Sequence, residues 1–118
     1  MRLAQGSSSP GFEGWQIDVP RRLLRAPDGV ITPLSAAEFD LLAVFVEHAQ
    51  QVLNRDRLLE LARGRSAALI DRSIDVLVSR LRRKIEADPA NPALIKTVRT
   101  GGYVLTATVT PLGQGAGP

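Results

Sequence analysis

The period of the hydrophobic pattern changes several times along the chain, and each change marks an element. Trp15, Ile17 and Val19 alternate with polar Gln16 and Asp18, the period of a strand with one buried face. Leu23 to Ala26 and Val30 to Leu34 flank Pro27-Asp28-Gly29, whose turn chemistry predicts a hairpin and so an N-terminal antiparallel sheet. Ser35-Ala36-Ala37-Glu38 then carries the spacing of a capping box and opens a helix to about His48. Phe39, Leu42, Ala43 and Val46 form its stripe, but Leu41, Val44 and Phe45 extend the apolar surface around most of the circumference. Such a helix has to be covered from more than one side, by the sheet and by later helices.

Asn54 is the expected N-cap of a short second helix through Ala62, carrying Leu58, Leu59, Leu61 and Ala62, with Gly64 placed to end it. A third helix is expected over Asp71 to Glu86 and stops at Asp88-Pro89-Ala90-Asn91-Pro92, which proline cannot continue. Ile95 to Val98 and Tyr103 to Thr106 read as short strands around Arg99-Thr100-Gly101-Gly102, a second hairpin. The expected fold is therefore α+β: an N-terminal antiparallel sheet, three helices and a C-terminal hairpin, the order of a winged helix-turn-helix. Residues 1–11, with QGSSSPG at 5–11, read as linker, residues 12–110 as the domain, and PLGQGAGP at 111–118 as a disordered tail.

Composition narrows the function. At 118 residues the chain is one domain's worth, and its lack of cysteine removes disulfides and thiolate metal sites. No apolar run reaches the length of a membrane span and no signal-peptide core opens the chain, so a cytoplasmic protein is expected. The net charge of +3 is unevenly placed. Residues 1–50 carry four basic against six acidic side chains, residues 51–118 eleven against six. Within Asp71 to Ile85 alone, Arg72, Arg80, Arg82, Arg83 and Lys84 oppose only Asp71 and Asp75. A basic stripe on one element is the footprint of a polyanion binder.

On a helical wheel Ile74, Leu77, Val78, Leu81 and Ile85 fall on one face, the expected core stripe. Arg72, Val76, Ser79, Arg80 and Arg83 lie opposite. Guanidinium groups there can bond guanine edges or phosphate oxygens, and Val76 at the centre of a basic face is suited to a thymine methyl. An incidental exposed valine is the plain alternative. Asp75 would repel phosphate and is expected to be structural, pairing with Arg72, Arg82 or a neighbour.

DRSIDVLVSRLRRK at 71–84, with the following D-P, I-K-T-V-R and G-Y ending at Tyr103, resembles the effector domain of the OmpR/PhoB family of response regulators. LSAAEFDLL at 34–42 and LNRDRLL at 53–59 fit the same pattern, while LARGR (61–65), RSID (72–75) and SRLRR (79–83) are closer to the OmpR branch than to the PhoB branch. The resemblance runs from about Phe12 to Leu105. It implies a third helix that enters the major groove of double-stranded DNA through Arg72, Ser73, Val76, Ser79, Arg80 and Arg83, and an Arg99 wing reaching toward the adjacent minor groove. It implies a loop touching RNA polymerase, with Arg63, Gly64, Arg65, Ser66, Ala67 and Ala68. It further implies self-association on tandem half-sites, and a sensor histidine kinase acting through a receiver domain that these residues do not include. Two positions depart from the family pattern: Thr100 replaces a usual glycine, and Gly101 stands where a bulkier residue is common.

Other classes fit less well. The only histidine, His48, sits near the expected end of an ordinary helix, no nucleophile elbow or phosphate loop is present, and no catalytic, metal or cofactor site is expected. A winged-helix interaction module without nucleic acid is the alternative, disfavoured by the basic outer face. RNA binding lacks exposed aromatics for base stacking, since Trp15, Phe39 and Tyr103 all read as core residues.

Overall fold

The computed structural model describes residues 10–64 and 73–110, which divide into two compact units. The first holds residues 10–33 and 107–110. Its strands β1 (Gly11–Phe12), β2 (Trp15–Asp18), β3 (Leu23–Arg25) and β4 (Ile31–Thr32) form one antiparallel sheet in sequence order. Ile17 faces Leu24 across β2 and β3, and both are buried, as is Phe12. The expected hairpin is present, and Gly29 takes the positive φ of +91° that its turn requires. Three details differ from expectation. Gly11 is not linker but the first residue of β1, where it also bridges Thr110. Trp15 is half-buried rather than core, and Val19 lies past the end of its strand.

The second unit, residues 34–106, carries the helices and the other hairpin. Helix α1 (Ala36–Glu47) opens with the capping box: Ser35 Oγ accepts from Glu38 N–H at 3.1 Å, while Ser35 N–H donates to Glu38 Oε1 at 2.9 Å. Every residue from Ala37 to Val46 is buried, as expected of a helix apolar on most sides, and α2 (Arg55–Arg63), α3 (Ile74–Ile85) and β6 (Gly102–Leu105) lie against it. Lys84 of α3 donates to Glu38 Oε1 at 2.7 Å. Burial alone would push the Glu38 carboxyl up, but the Lys84 ammonium and the Ser35 donors outweigh it and hold it below its ordinary value. The Asn54 cap of α2 forms as expected, its side chain accepting from Arg57 N–H at 2.8 Å, and the helix ends at Gly64.

Helix α3 is shorter than expected. Ser73 is extended at φ −68°, ψ 132°, so the helix begins at Ile74. At the other end Glu86 is extended as well, because its carboxylate accepts from the N–H groups of Ala93, Leu94 and Ile95 at 2.8–3.0 Å. That local alternative outcompetes another helical residue and fixes the start of β5 (Ile95–Val98). Strands β5 and β6 pair antiparallel, Ile95 opposite Leu105 and Val98 opposite Gly102, so the second strand starts one residue earlier than expected. Among the described residues no helix is long and apolar enough to cross a membrane, and no cluster could hold a metal ion.

Candidate nucleic-acid interface

The two faces of α3 are sharply distinct. Ile74, Leu77, Val78, Leu81 and Ile85 are each at most 4% exposed, which is the stripe expected from the wheel. Burying that stripe at roughly 25 cal/mol per Å2 of apolar surface fixes the helix's rotation. What remains outward is then decided by the sequence. Asp75, Val76, Ser79, Arg80 and Arg83 line one open depression, and Val76, 43% exposed, is among the few large apolar side chains left to solvent. Ser73 is exposed at the helix's first turn. Arg72 lies outside the described residues.

The basic stripe is less uniform than its composition suggests. Arg82 donates through Nε and Nη2 to Ile95 O, at 3.0 and 2.8 Å, and through Nη2 to Thr97 Oγ1 at 2.8 Å. Lys84 is committed to Glu38. Arg80 and Arg83 are the exposed guanidinium groups of the helix, side by side on its outer face with Ser79 and Val76. Such a surface has geometry for groove recognition: forked donors for base edges or phosphates, one hydroxyl, and one methyl-bearing side chain.

Asp75 is structural, but its partner lies on another helix. Its Oδ1 accepts from Arg55 Nε of α2 at 2.9 Å and, at short range, from the Tyr103 hydroxyl of β6. The guanidinium carbons of Arg55 and Arg82 stand 5.7 and 5.4 Å from the Tyr103 ring centroid, within cation–π range. The Tyr103 hydroxyl and then the Arg55 guanidinium hold the Asp75 carboxyl below its ordinary value. Burial and the same carboxylate push the Tyr103 phenol up. Sequence periodicity gave no sign of this cluster, because its members come from three elements. Tyr103 is buried as expected of a core residue, yet its hydroxyl ends in a polar network.

Arg99 and Thr100 are exposed at the tip of the β5–β6 hairpin. Close to its turn the hairpin is tied to the chain before α2: Tyr103 N–H donates to Leu53 O and Leu53 N–H to Tyr103 O, both at 2.9 Å. Gly102 sits so close that a Cβ there would stand 2.6 Å from Leu53 O, so only glycine fits. Of the residues expected in the polymerase-contacting loop, Arg63 is instead the last residue of α2 and Gly64 its C-cap, both exposed, while Arg65, Ser66, Ala67 and Ala68 lie outside the described residues. His48 is the C-cap of α1.

Comparison with known proteins agrees with this arrangement. Residues 29–105 match the family described as "Transcriptional regulatory protein, C terminal". The regulatory protein VirG of Agrobacterium fabrum is 47% identical over 98 residues, 83% of this chain and 39% of VirG. The transcriptional regulatory protein AruR of Pseudomonas aeruginosa is 43% identical over 113 residues, 91% of this chain and 46% of AruR. The chain thus spans less than half the length of these relatives. Among solved structures, the Klebsiella pneumoniae RstA DNA-binding domain, crystallised with the RstA box, superposes with a TM-score of 0.71 at 39% identity, covering 83% of this chain and 96% of that one. The C-terminal effector domain of Acinetobacter baumannii BfmR gives 0.70 at 36% identity over 90% and 94%. The chain therefore belongs to the C-terminal family of transcriptional regulatory proteins, as a winged-helix DNA-binding domain of the OmpR/PhoB type and not an enzyme.

Proposed function

We propose that this chain is the sequence-specific DNA-binding effector of a bacterial two-component response regulator acting in the cytoplasm. Helix α3 is its recognition helix, with Ser73, Val76, Ser79, Arg80 and Arg83, together with Arg72, meeting the major groove and adjoining phosphates. Arg99 at the hairpin tip serves the neighbouring minor groove, where the base code is degenerate and an arginine contributes more to affinity than to sequence choice. The observation that carries the reading is the outer face of α3: Val76, Ser79, Arg80 and Arg83 stand exposed together while the opposite stripe is fully packed.

Three further parts of the proposal rest on family likeness. The end of α2 and the chain after it, from Arg63 through Ala68, touch RNA polymerase. Phosphorylation of a receiver domain by a sensor histidine kinase controls the longer protein. Two copies bind head to tail on direct repeats about one helical turn apart, monomeric in solution and paired on DNA. A single module buries only about 600–1,000 Å2 on DNA, and joining two copies multiplies avidity by about 10²–10⁴.

Arg80→Ala tests the central claim. Specific affinity should fall by about 1–3 kcal/mol, the worth of one good base or charged phosphate contact. Titration at several salt concentrations separates the two, since loss of a phosphate contact lowers the log–log salt slope by about one unit and loss of a base contact changes sequence preference. Unchanged affinity and unchanged preference would remove α3 from the interface.

A further inference from the structure

The Asp75 cluster links the two parts of the proposed interface, and Asp75 itself lines the α3 depression. Asp75 is in the first turn of α3, one residue from Val76. Tyr103, whose hydroxyl it accepts, is two residues from Gly101 in the hairpin turn. Arg55 completes the link from α2, reaching Asp75 through Nε, while its Nη1 would lie 3.9 Å from a Cβ on Gly101. Arg82 fastens the other strand, through Ile95 O and Thr97 Oγ1, from the far end of the same helix. The hairpin is thereby held on α3 at two separate points, and one of them is a single carboxylate shared by two donors.

We propose that Asp75, Arg55 and Tyr103 are positioning residues for DNA binding, which set the angle of the hairpin on α3 so that Arg99 and the α3 face engage one duplex together. The inference rests on the DNA-binding reading above. Its physical basis is that charge-assisted hydrogen bonds are short and directional, so a carboxylate with two donors fixes orientation as well as distance. Arg99 lies two residues beyond Thr97, the partner of Tyr103 in the ladder, so its placement depends on that orientation, and an interface arranged in advance binds more tightly because it loses less freedom on binding. The three residues act through Arg99, not through contacts of their own.

That route makes a distinctive prediction for a double-mutant cycle. Tyr103→Phe deletes only the hydroxyl and leaves the Asp75 charge in place. The probe is a duplex enriched from a random pool by the full wild-type chain. In the wild-type background Tyr103→Phe should weaken binding by about five-fold, within the range of coupling between connected residues. In an Arg99→Ala background the same change should have no further effect, because nothing remains at the tip to be positioned. Asp75→Asn, which keeps an acceptor for the tyrosine but loses the charge, should show the same dependence on Arg99 whatever its own sign. Equal loss from Tyr103→Phe in both backgrounds would overturn the inference, since a direct phosphate contact or a general loss of folding behaves that way. No loss from Tyr103→Phe, or none from Arg99→Ala alone, would overturn it too, while leaving α3 as the interface. Failure of the wild-type chain to enrich any duplex would sink the DNA-binding reading itself.

Discussion

Two hairpins in this chain are built on the same plan and held by opposite means. The turn of the β3–β4 hairpin is self-contained, although β3 also pairs with β2. Ala26 N–H donates to Val30 O, Gly29 N–H to Ala26 O, Val30 N–H to Asp28 Oδ1, and Arg25 to Gly29 O, all within six residues. The β5–β6 hairpin closes with one turn bond, from Gly101 N–H to Val98 O, and is then gripped from outside. Leu53 pairs with Tyr103, Asp75 accepts its hydroxyl, and Arg82 takes Ile95 O and Thr97 Oγ1. A hairpin that only completes a sheet can rely on local turn chemistry. One whose tip leaves an arginine exposed, as Arg99 is here, is instead positioned by distant residues, so the tip can stay bare without becoming imprecise.

Glycine substitutions should expose this contrast most strongly. Gly102→Ala forces a Cβ to within 2.6 Å of a backbone oxygen that cannot turn away. The cost should reach about 3 kcal/mol, the upper end of overpacking effects. Gly29→Ala meets no atom within 4 Å and faces only the strain of its positive φ, about 1 kcal/mol. Urea denaturation of the two variants measures the difference. Equal losses would mean that the second hairpin is no more dependent on its surroundings than the first.

The same contrast decides what could be read from sequence. Pro27-Asp28-Gly29 and the Ser35–Glu38 capping box were legible because their physics is confined to a few neighbouring residues. The buried stripe of α3 was legible because helical period alone sorts Ile74, Leu77, Val78, Leu81 and Ile85 onto one face. That sorting also brought Val76, Ser79, Arg80 and Arg83 to the outer side, where the structure has them. What sequence could not divide was the basic run itself. Arg82 and Lys84 look like Arg80 and Arg83 in composition, yet they are taken up by Ile95, Thr97 and Glu38, partners 13, 15 and 46 residues away. Asp75 had the right role and an open choice of partner, because nothing in a one-dimensional pattern says that α2 and β6 will meet its carboxylate. The end of α3 was overrun for a related reason: Glu86 is a good helix former whose side chain found three backbone N–H groups instead.

A smaller effect should follow from removing the outside grip. Arg82→Met keeps most of the side-chain stem and deletes the bonds to Ile95 O and Thr97 Oγ1. A stability loss of about 1–3 kcal/mol is expected, because charged donors to a part-buried carbonyl are among the stronger hydrogen bonds. Arg25→Met removes one exposed bond to Gly29 O and should change stability by less than about 0.5 kcal/mol. Comparable losses would show that the β5–β6 hairpin, like its counterpart, is held mainly by its own ladder.

A further small effect is a pH dependence confined to the Asp75–Tyr103 pair. The Asp75 carboxyl is held below its ordinary value by the Tyr103 hydroxyl and the Arg55 guanidinium. A depressed acid contributes stability that is complete above its unfolded value, about 3.9, and is lost as pH falls through the folded one. The Tyr103 phenol is pushed up by burial and by the same carboxylate. Its contribution is complete below the unfolded value, about 10, and is lost as pH rises through the raised folded one. The pair therefore contributes fully only between those limits. Asp75 is half exposed, so solvent screens the interaction and the whole effect should stay within about 1 kcal/mol. Tyr103→Phe isolates it, since the phenol and its bond to Asp75 disappear together. Thermal unfolding of wild type and variant across the pH range should give a constant difference between about pH 5 and 9 that narrows at both ends. A difference that does not change with pH would mean that the hydroxyl stabilises the protein independently of the Asp75 charge, and would leave the ionised carboxylate out of what holds this hairpin.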